Sequence, residues 1–261
     1  MIDFGKYNEQ SSPWGMIRGW YYDGEASRPF HQLDNKVLSR SLHCYITVDE
    51  TEADSEEEIP LGASKTKGLP HLPASIEWPD NTLFLAQFNL ADLKPHDIQQ
   101  QLPAEGILYF FFSPNDSECE VFFYEGPTDQ LERREYPEEG FPDMEHYFED
   151  YAETRNAVNF HRGAKIAIHE FPPLIPAEMK ADLEKILGCE LSKNGYGDDM
   201  FGQPSYWQGE NELFDDEQHD EEGDIMLFQY EFGEGNVHFW ISREELANRD
   251  FSKVYLDYSG T

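Results

Sequence analysis

The fold is decided by two adjacent apolar runs, EGILYFFFS at residues 105–113 and CEVFFYEG at residues 119–126. An apolar run of this kind has the length of a buried strand and is too short to cross a membrane. The connection between the runs, SPNDSE, is rich in the residues that favour tight turns. The two runs therefore predict a β-hairpin inside a buried sheet.

A similar pattern occurs once more nearer the C-terminus. FLAQFNL (84–90) precedes EGILYFFFS in the first half, and MLFQYEF (226–232) precedes EGNVHFWIS (234–242) in the second. Each first strand carries a central glutamine, Gln87 or Gln229, and a buried amide must be hydrogen-bonded. We expect each glutamine to bond the backbone or the other glutamine. The pattern has two interpretations: two unrelated hairpins of similar composition, or a duplicated β-rich half whose strands pair about a pseudo-twofold axis.

Helix signals are few and short. Residues 176–188 begin with proline, carry apolar residues on one face and end with glycine. Ser242 and Glu245 have the spacing of a capping box. Strands are indicated at 41–48 and 165–171, and the prolines within 61–81 favour an extended crossing segment. The sequence predicts an α+β fold with a β-rich core of two similar halves, a pseudo-duplicated antiparallel sheet, and a few short helices, in a single domain over 1–261.

The charge balance excludes several classes of function. The chain has 53 acidic residues against 19 Lys and Arg, a formal net charge of -34. Binding to nucleic acid through phosphate contacts needs a basic surface, and an anionic membrane repels such a chain. An apolar content of 39% with 15% aromatics is too high for a disordered chain. Three separated cysteines imply no disulfide framework, and no signal peptide is evident, so we expect a cytoplasmic protein.

The acidic residues are gathered in three runs, at 49–58, 129–153 and 210–224. The first run has almost no aromatic residues and predicts a solvated, mobile loop. The other two carry aromatic rings among the acids, which suits a binding face for a basic protein partner because charge speeds association and rings supply burial. A solubilising surface is the alternative. The candidate partner-binding residues are Tyr206, Trp207, Phe214, Asp215, Asp216, Glu217, Asp220, Glu221 and Glu222.

Motifs for catalysis or cofactors are absent from the sequence. It has no GxSxG, GxxxxGK[ST], GxGxxG or HExxH motif. Cys44 follows His43 directly, and neighbouring strand residues point to opposite faces, so the two cannot act together. The acids at 215–224 lack the spacing of an EF-hand and favour at most weak divalent binding. We expect no catalytic residue, no dedicated metal site and no cofactor.

Several motifs in order resemble the YwqG-like family, a bacterial domain of unknown function numbered 1963. They are SKTKGLPHLPASIEWP, FLAQFNLADL, LPAEGILYFFF, FGQPSYWQ, IMLFQYEF and FWISREELANRDFSKV, and the resemblance is strongest over 64–254. Residues 1–60 are then an N-terminal extension packed on the domain. The chain departs from the family pattern at Lys67, where the family has glycine, and at the turn around Glu234, which is usually Trp-Gly-Asp-x-Gly.

The resemblance implies a compact α+β fold with an internally repeated core and no established enzymatic activity. Some family members are encoded near secreted toxins, which implies an immunity-type inhibitor that occludes a basic toxin with an acidic, aromatic face. The alternative is an uncharacterised hydrolase or small-ligand-binding domain with its site in the cleft between the two halves. We expect a non-catalytic binding protein.

Overall fold

The structure is a computed structural model. It describes residues 20–22, 27–29, 42–97, 100–114, 118–137, 151–166, 180–181, 184–185, 187–191, 197–202, 204–206 and 224–260. Two helices in these ranges are α1 (Leu90–Leu93) and α2 (Arg243–Asn248). Neither they nor any other helix in the described ranges is long and apolar enough to cross a membrane.

Strands make up most of the described chain. In chain order they are β1 (Trp20–Tyr22), β2 (Ser27–Pro29), β3 (Leu42–Glu52), β4 (Lys65–Lys67), β5 (His71–Pro73), β6 (Leu83–Asn89), β7 (Ile107–Ser113), β8 (Glu118–Tyr124), β9 (Leu131–Arg133), β10 (Arg155–Ile166), β11 (Glu190–Leu191), β12 (Asp199–Met200), β13 (Asp224–Glu231), β14 (Gly235–Ser242) and β15 (Tyr255–Gly260).

One large sheet organises the molecule. Its strand order is β15-β14-β13-β12-β3-β10-β4-β6-β7-β8, and all of these neighbours are antiparallel. β11 adds to β10 in parallel, while β1–β2 and β5–β9 form separate two-stranded sheets. The two outer strands, β8 and β15, approach each other: the Cys119 Sγ on β8 lies 3.6 Å from the carbonyl oxygen of Val254, just before β15. The sheet is therefore nearly closed.

Aromatic side chains fill the space that this sheet encloses. The ring centres of Phe88 and Phe228 are 4.9 Å apart, those of Phe110 and Phe228 are 5.1 Å apart, and those of Phe110 and Phe239 are 5.2 Å apart. A smaller cluster lies on the other face of β6 and β7, where Tyr109 is fully buried. Both faces of β7 are thus covered, which explains why its sequence is apolar throughout rather than alternating.

The local predictions agree with the structure. The hairpin is formed by β7 and β8, and the capping box is present, with Glu245 N–H donating to Ser242 Oγ at 3.2 Å. The described residues of the 176–188 segment, 180, 181, 184, 185 and 187, are helical. Gly188 ends that helix with φ of +68°, and its N–H donates to the Glu184 carbonyl at 2.8 Å. The strand predicted at 165–171 is described only to Ile166.

The loop predicted at residues 49–58 is wrong for residues 49–52, which belong to a strand. β3 continues to Glu52 in an interior position between β10 and β12, and residues 56–58 form a 3₁₀ turn. The acidic side chains are mostly exposed, as predicted, but the prediction took exposure to mean a loop, whereas an exposed acidic residue can also lie on a strand. Glu50 is held by Asn156, 106 residues away in sequence, and Glu56 by Lys65, nine residues away.

Candidate functional site

Four polar side chains meet where the two central strands of the sheet, β3 and β10, run between β4 and β12–β13. Glu50 Oε2 accepts a hydrogen bond from Asn156 Nδ2 at 2.9 Å, and Glu50 Oε1 accepts from the Tyr230 hydroxyl at 3.1 Å and from the Thr66 hydroxyl. Asn156 Nδ2 also lies 3.2 Å from Thr66 Oγ1. Thr66, Asn156 and Tyr230 are buried, whereas Glu50 is exposed. We call Glu50, Thr66, Asn156 and Tyr230 the seam cluster.

Strand periodicity places Glu50 in this cluster. Ile46, Val48 and Glu50 share one face of β3 because side chains alternate along a strand. Ile46 and Val48 are buried in the core, whereas Glu50, the next residue in the same row, is exposed and lies where the core ends. The carboxylate is therefore held at the mouth of the sheet, with buried donors beneath it and solvent above.

A second carboxyl group lies beside the seam cluster. Asp198 precedes β12, and its Oδ1 accepts a hydrogen bond from the Glu231 N–H at 2.7 Å. Burial raises the pKa of Asp198 to about 8, against the effect of that hydrogen bond, and the carboxylates of Glu50 and Glu231 contribute to the increase. Near neutral pH the Asp198 carboxyl group, beside the seam cluster, therefore retains its proton.

Aromatic rings line the same mouth. Tyr151 is buried against Phe232, with ring centres 5.3 Å apart, and the Lys67 Nζ lies 4.7 Å from the centre of the Tyr151 ring. That distance is typical of a cation–π contact. The Gly68 N–H also donates to the Tyr151 carbonyl at 2.8 Å, so the loop after β4 is fixed to this ring by backbone and side chain.

The opposite face of β4 carries a cluster of basic side chains. Lys65 is fully buried, and its Nζ contacts Glu56 Oε2 at 2.5 Å and the Leu69 carbonyl at 2.8 Å. Glu56 Oε1 accepts from the Leu69 N–H at 2.8 Å. Burial lowers the pKa of Lys65 to about 8 although Glu56 opposes the decrease, and Arg133 and Arg155 lower it further. The Glu56 carboxylate thus compensates only part of the cost of burying the Lys65 ammonium group.

His71 and Arg133 extend this cluster. The two residues are directly opposite each other in the β5–β9 pair, and Arg133 Nη2 donates to the carbonyls of Glu56 at 2.8 Å and Ile59 at 2.9 Å. His71 Nδ1 accepts from the Gly62 N–H at 3.1 Å, which places the ring proton on Nε2. Burial, followed by Lys65 and Arg133, lowers the pKa of His71 to about 3, so the ring is neutral. We call Lys65, His71, Arg133 and Arg155 the basic cluster.

The two mid-strand glutamines each bond the backbone, as the sequence predicted. Gln87 Oε1 accepts from the His71 N–H at 2.7 Å, and Gln87 Nε2 donates to the Ala63 carbonyl at 2.7 Å. The hydroxyl of Tyr109, opposite Gln87 on β7, donates to the His71 carbonyl at 2.7 Å. The residue at position 71 is therefore held at both its N–H and its C=O.

Gln229 makes the corresponding contacts on the other side of the sheet. Its Oε1 accepts from the Ser205 N–H at 3.0 Å, and its Nε2 donates to the Gly197 carbonyl at 2.8 Å. His238, opposite Gln229 on β14, has Nε2 3.2 Å from the Ser205 carbonyl. Each glutamine thus fixes a crossing segment against its strand.

Of the partner-binding residues predicted from the sequence, only Tyr206 lies within the described ranges. Its ring packs on His238 with centres 5.1 Å apart. The other predicted residues lie outside the described ranges, and their role stays a prediction: Trp207, Phe214, Asp215, Asp216, Glu217, Asp220, Glu221 and Glu222. Within the described ranges no three His, Cys, Asp or Glu side chains are grouped to hold a metal ion.

The cysteines are free and weakly acidic. Burial raises the pKa of the Cys44 thiol, with Arg162 opposing, and raises that of Cys119 to about 12. These thiols are protonated at neutral pH and are poor nucleophiles.

Sequence reasoning missed the seam cluster because its members lie on four strands far apart in sequence. One local signal was available. Glu50 continues the apolar row of Ile46 and Val48 with period two, so a carboxylate at that position faces the core.

The described residues thus define a β-rich protein with a nearly closed antiparallel sheet and polar clusters on both faces of one short strand. The chain belongs to the family Domain of unknown function DUF1963, whose family model matches residues 64–259. This confirms the family that the ordered motifs indicated. A comparison with curated proteins gave no match.

Proposed function

We propose that this protein is a non-catalytic binding protein of the cytoplasm that recognises a basic partner, and that the seam cluster receives a cationic group from that partner. One observation carries the proposal. The exposed Glu50 carboxylate is fixed by donors from Thr66, Asn156 and Tyr230, whose side chains are buried. A preorganised carboxylate loses little freedom on binding a cation.

The charge of the whole chain supports the same class of partner. A net charge of -34 accelerates association with a cationic protein. The finer proposal is an immunity-type inhibitor that occludes a basic toxin. In that case the acidic, aromatic residues from Tyr206 to Glu222 form the outer part of the interface, and Tyr206, packed on His238, anchors its described end.

We also infer that the sheet is built from two similar halves related by a pseudo-twofold axis between β3 and β10. The strand order supports this. Read inward from its two edges, β15, β14, β13, β12 and β3 correspond to β8, β7, β6, β4 and β10. The β-bulges lie between Phe84 and Ala86 and between Met226 and Phe228, at the same offset from Gln87 and Gln229.

The crossing segments support the duplication as well. Ala63 and His71, bonded by Gln87, have the same spacing as Gly197 and Ser205, bonded by Gln229. The sequences between them, KGLP at 67–70 and FGQP at 201–204, share Gly-x-Pro, and the first residue of each is left-handed, with φ of +57° and +61°.

The duplication supplies an internal comparison for the seam cluster. By strand register its four positions correspond in the other half to four buried apolar side chains, so the fold itself does not require polar residues there. The equivalents of Glu50, Thr66, Asn156 and Tyr230 are Phe160, Met200, Ile46 and Phe88. The polar set in one half therefore supports a functional role.

A matched pair of variants tests the proposed function. Glu50→Gln and Glu244→Gln remove the same charge, but Glu244 lies on α2, at the opposite end of β13 and about 20 Å from the seam. We measure binding of a fluorescent arginine-rich peptide by anisotropy at several salt concentrations. We expect affinity to fall with salt and Glu50→Gln to weaken binding at least threefold more than Glu244→Gln. Equal losses, or salt-independent affinity, would contradict the proposal.

A second test addresses the outer part of the interface. Charge reversal across residues 215–222 removes the acidic run beyond Tyr206. We expect slower association with the same peptide and a smaller change in dissociation, because long-range charge acts mainly on the association rate. An unchanged association rate would remove this run from the interface and leave the seam cluster to be judged separately.

A hydrolase or small-ligand-binding domain with its site in the cleft between the halves is the second candidate. It is favoured by Asp198, whose carboxyl group keeps its proton near neutral pH beside the Glu50 carboxylate. Acid–base hydrolysis uses pairs of carboxyl groups in different protonation states. Turnover of a glycoside or ester substrate that disappears in Asp198→Asn would establish this candidate in place of binding.

A further inference from the structure

The basic cluster concentrates cations in a chain that has few of them. Lys65, Arg133 and Arg155 are close enough for each arginine to lower the pKa of the lysine, and Glu56 is the carboxylate in contact with the lysine. The whole chain has only 19 Lys and Arg against 53 acids. A second carboxylate, Glu57, lies close to both arginines, so three cations face two carboxylates. The one excess positive charge in a partly desolvated place is unfavourable unless an anion joins the cluster.

Several N–H groups of this cluster lack an acceptor. Arg133 Nε, Arg155 Nε and His71 Nε2 are buried and have no hydrogen-bond partner within the described chain. His71 is fully buried, and its proton is on Nε2 because Nδ1 already accepts from Gly62. A buried donor without an acceptor destabilises the folded state, because the donor has lost its hydrogen bond to water. Three such donors among neighbouring basic side chains point to a missing acceptor.

The loop after β4 brings the backbone directly onto the cluster. A Cβ on Gly68 would lie 2.1 Å from Glu56 Oε1, 2.9 Å from Arg155 Cβ and 3.2 Å from Lys65 Nζ. Arg155 is opposite Lys67 in the β4–β10 pair. Glycine at 68 is therefore required for the loop to close over these side chains, and Arg155 lies at its rim with intermediate exposure.

We propose that the basic cluster binds an oxyanion, a phosphate or carboxylate group, on the free N–H groups of Arg133 and Arg155. The planar guanidinium presents a fork of donors that matches such groups. The anion supplies the acceptors that the buried donors lack and balances the excess positive charge. This site goes beyond the proposed function, because it takes an anionic group and lies on the face of β4 opposite the seam cluster.

Wild-type protein gives the first test. Sodium phosphate and sodium acetate are titrated separately against sodium chloride at matched ionic strength, and arginine Nε–Hε signals are followed by NMR. We expect saturable shifts of two arginine signals with phosphate, with acetate or with both, and none with chloride. The responding salt identifies the chemistry of the group. If neither salt shifts an arginine signal beyond the chloride control, the proposal is overturned.

Variants give the second test. Arg155→Gln is expected to lower the affinity for the responding salt at least tenfold, whereas Arg249→Gln, which removes an exposed arginine paired with Glu125, changes it less than twofold. Arg155→Lys keeps the positive charge but loses the planar guanidinium, so we expect a severalfold loss of affinity. This variant replaces Arg155→Gln in the test if circular dichroism shows that Arg155→Gln does not fold. Equal affinity in wild type and the Arg155 variants overturns the proposal.

Discussion

Lys67 adopts a backbone conformation that glycine favours. Its φ is +57°, in the left-handed region, at the position where the resemblance to the family implies glycine. For an L-residue this conformation costs about 1–2 kcal/mol. Lys67 also gains a contact with the Tyr151 ring, which is worth about 0.5–1 kcal/mol at an exposed site. The departure from the family pattern is thus tolerated because the side chain compensates part of the backbone strain.

This account predicts an unusual order of stabilities at position 67. Lys67→Ala loses the ring contact and keeps the strain, whereas Lys67→Gly loses the contact and relieves the strain. We expect the glycine variant to have a free energy of unfolding about 1 kcal/mol above the alanine variant, measured by urea denaturation. In an ordinary strand the order is reversed, so an alanine variant that is the more stable one would refute the strain argument.

Asp198 makes stability depend on pH near neutrality. Its pKa is about 8 in the folded chain and 3.8 as an isolated group, so the folded state binds more protons between these values. Stability from this residue therefore decreases as pH rises from 4 to 8. His71 acts oppositely below pH 6.5, because burial lowers its pKa to about 3 and acid favours the unfolded state. Lys65 also titrates near pH 8 and acts oppositely to Asp198, because burial lowers its pKa from 10.5 to about 8. Comparison of wild type with a variant at position 198 therefore isolates Asp198 between pH 6.5 and 8.5.

We expect Asp198→Asn to flatten the pH dependence in that window. Relative to the variant, the wild-type chain should lose stability between pH 6.5 and 8.5, since the amide oxygen of the variant still accepts the Glu231 N–H and does not ionise, while Lys65 titrates in both proteins. Urea denaturation at pH 6.5, 7.5 and 8.5 measures the difference. Parallel curves for the two proteins would show that the Asp198 carboxyl group is not the titrating group.

At the scale of elements, Gln87 and Gln229 each join a strand to the segment that crosses it, and we call each set of bonds a glutamine clamp. Gln229→Leu fits the same space and leaves the Ser205 N–H without its side-chain acceptor and the Gly197 carbonyl without its donor. We expect the free energy of unfolding to fall by about 2 kcal/mol or more, the cost of stranding buried polar groups. Gln130→Leu, in the exposed turn before β9, is the matched control and should change stability by less than about 0.5 kcal/mol. Equal effects would mean that the clamp is not structural.

The elements that could be predicted from the sequence are those with local causes. The β7–β8 hairpin follows from two apolar runs and a turn, and the capping box follows from the spacing of Ser242 and Glu245. Only the end of β10 was recognised, within the strand predicted at 165–171, because Arg162 interrupts the alternation of polar and apolar residues and the partner β3 is far away in sequence. The seam cluster could not be predicted from the sequence for the same reason, since Glu50 contacts Asn156 and Tyr230 only in the assembled sheet.

For the whole molecule, the position of β3 decides what can fold as a unit. The family match begins at residue 64, yet β3 (Leu42–Glu52) lies between β10 and β12 and pairs with both. Among the described strands, β3 is the hydrogen-bonded link between β12–β15 and the rest of the sheet. A fragment limited to the matched residues would expose the facing edges of β10 and β12 along with the core face that β3 covers.

We therefore expect residues 64–261 to lack cooperative unfolding and residues 42–261 to retain it. The shorter fragment loses the buried side chains of Ile46 and Val48 and the backbone bonds of an eleven-residue strand. Near-ultraviolet circular dichroism during urea denaturation distinguishes the two, and a peptide of residues 42–52 added to the shorter fragment should restore part of the signal. Cooperative unfolding of residues 64–261 alone would contradict this expectation. It would mean that the sheet forms without β3 and that β10 and β12 pair directly. The seam cluster, which depends on Glu50, would then not form in the fragment.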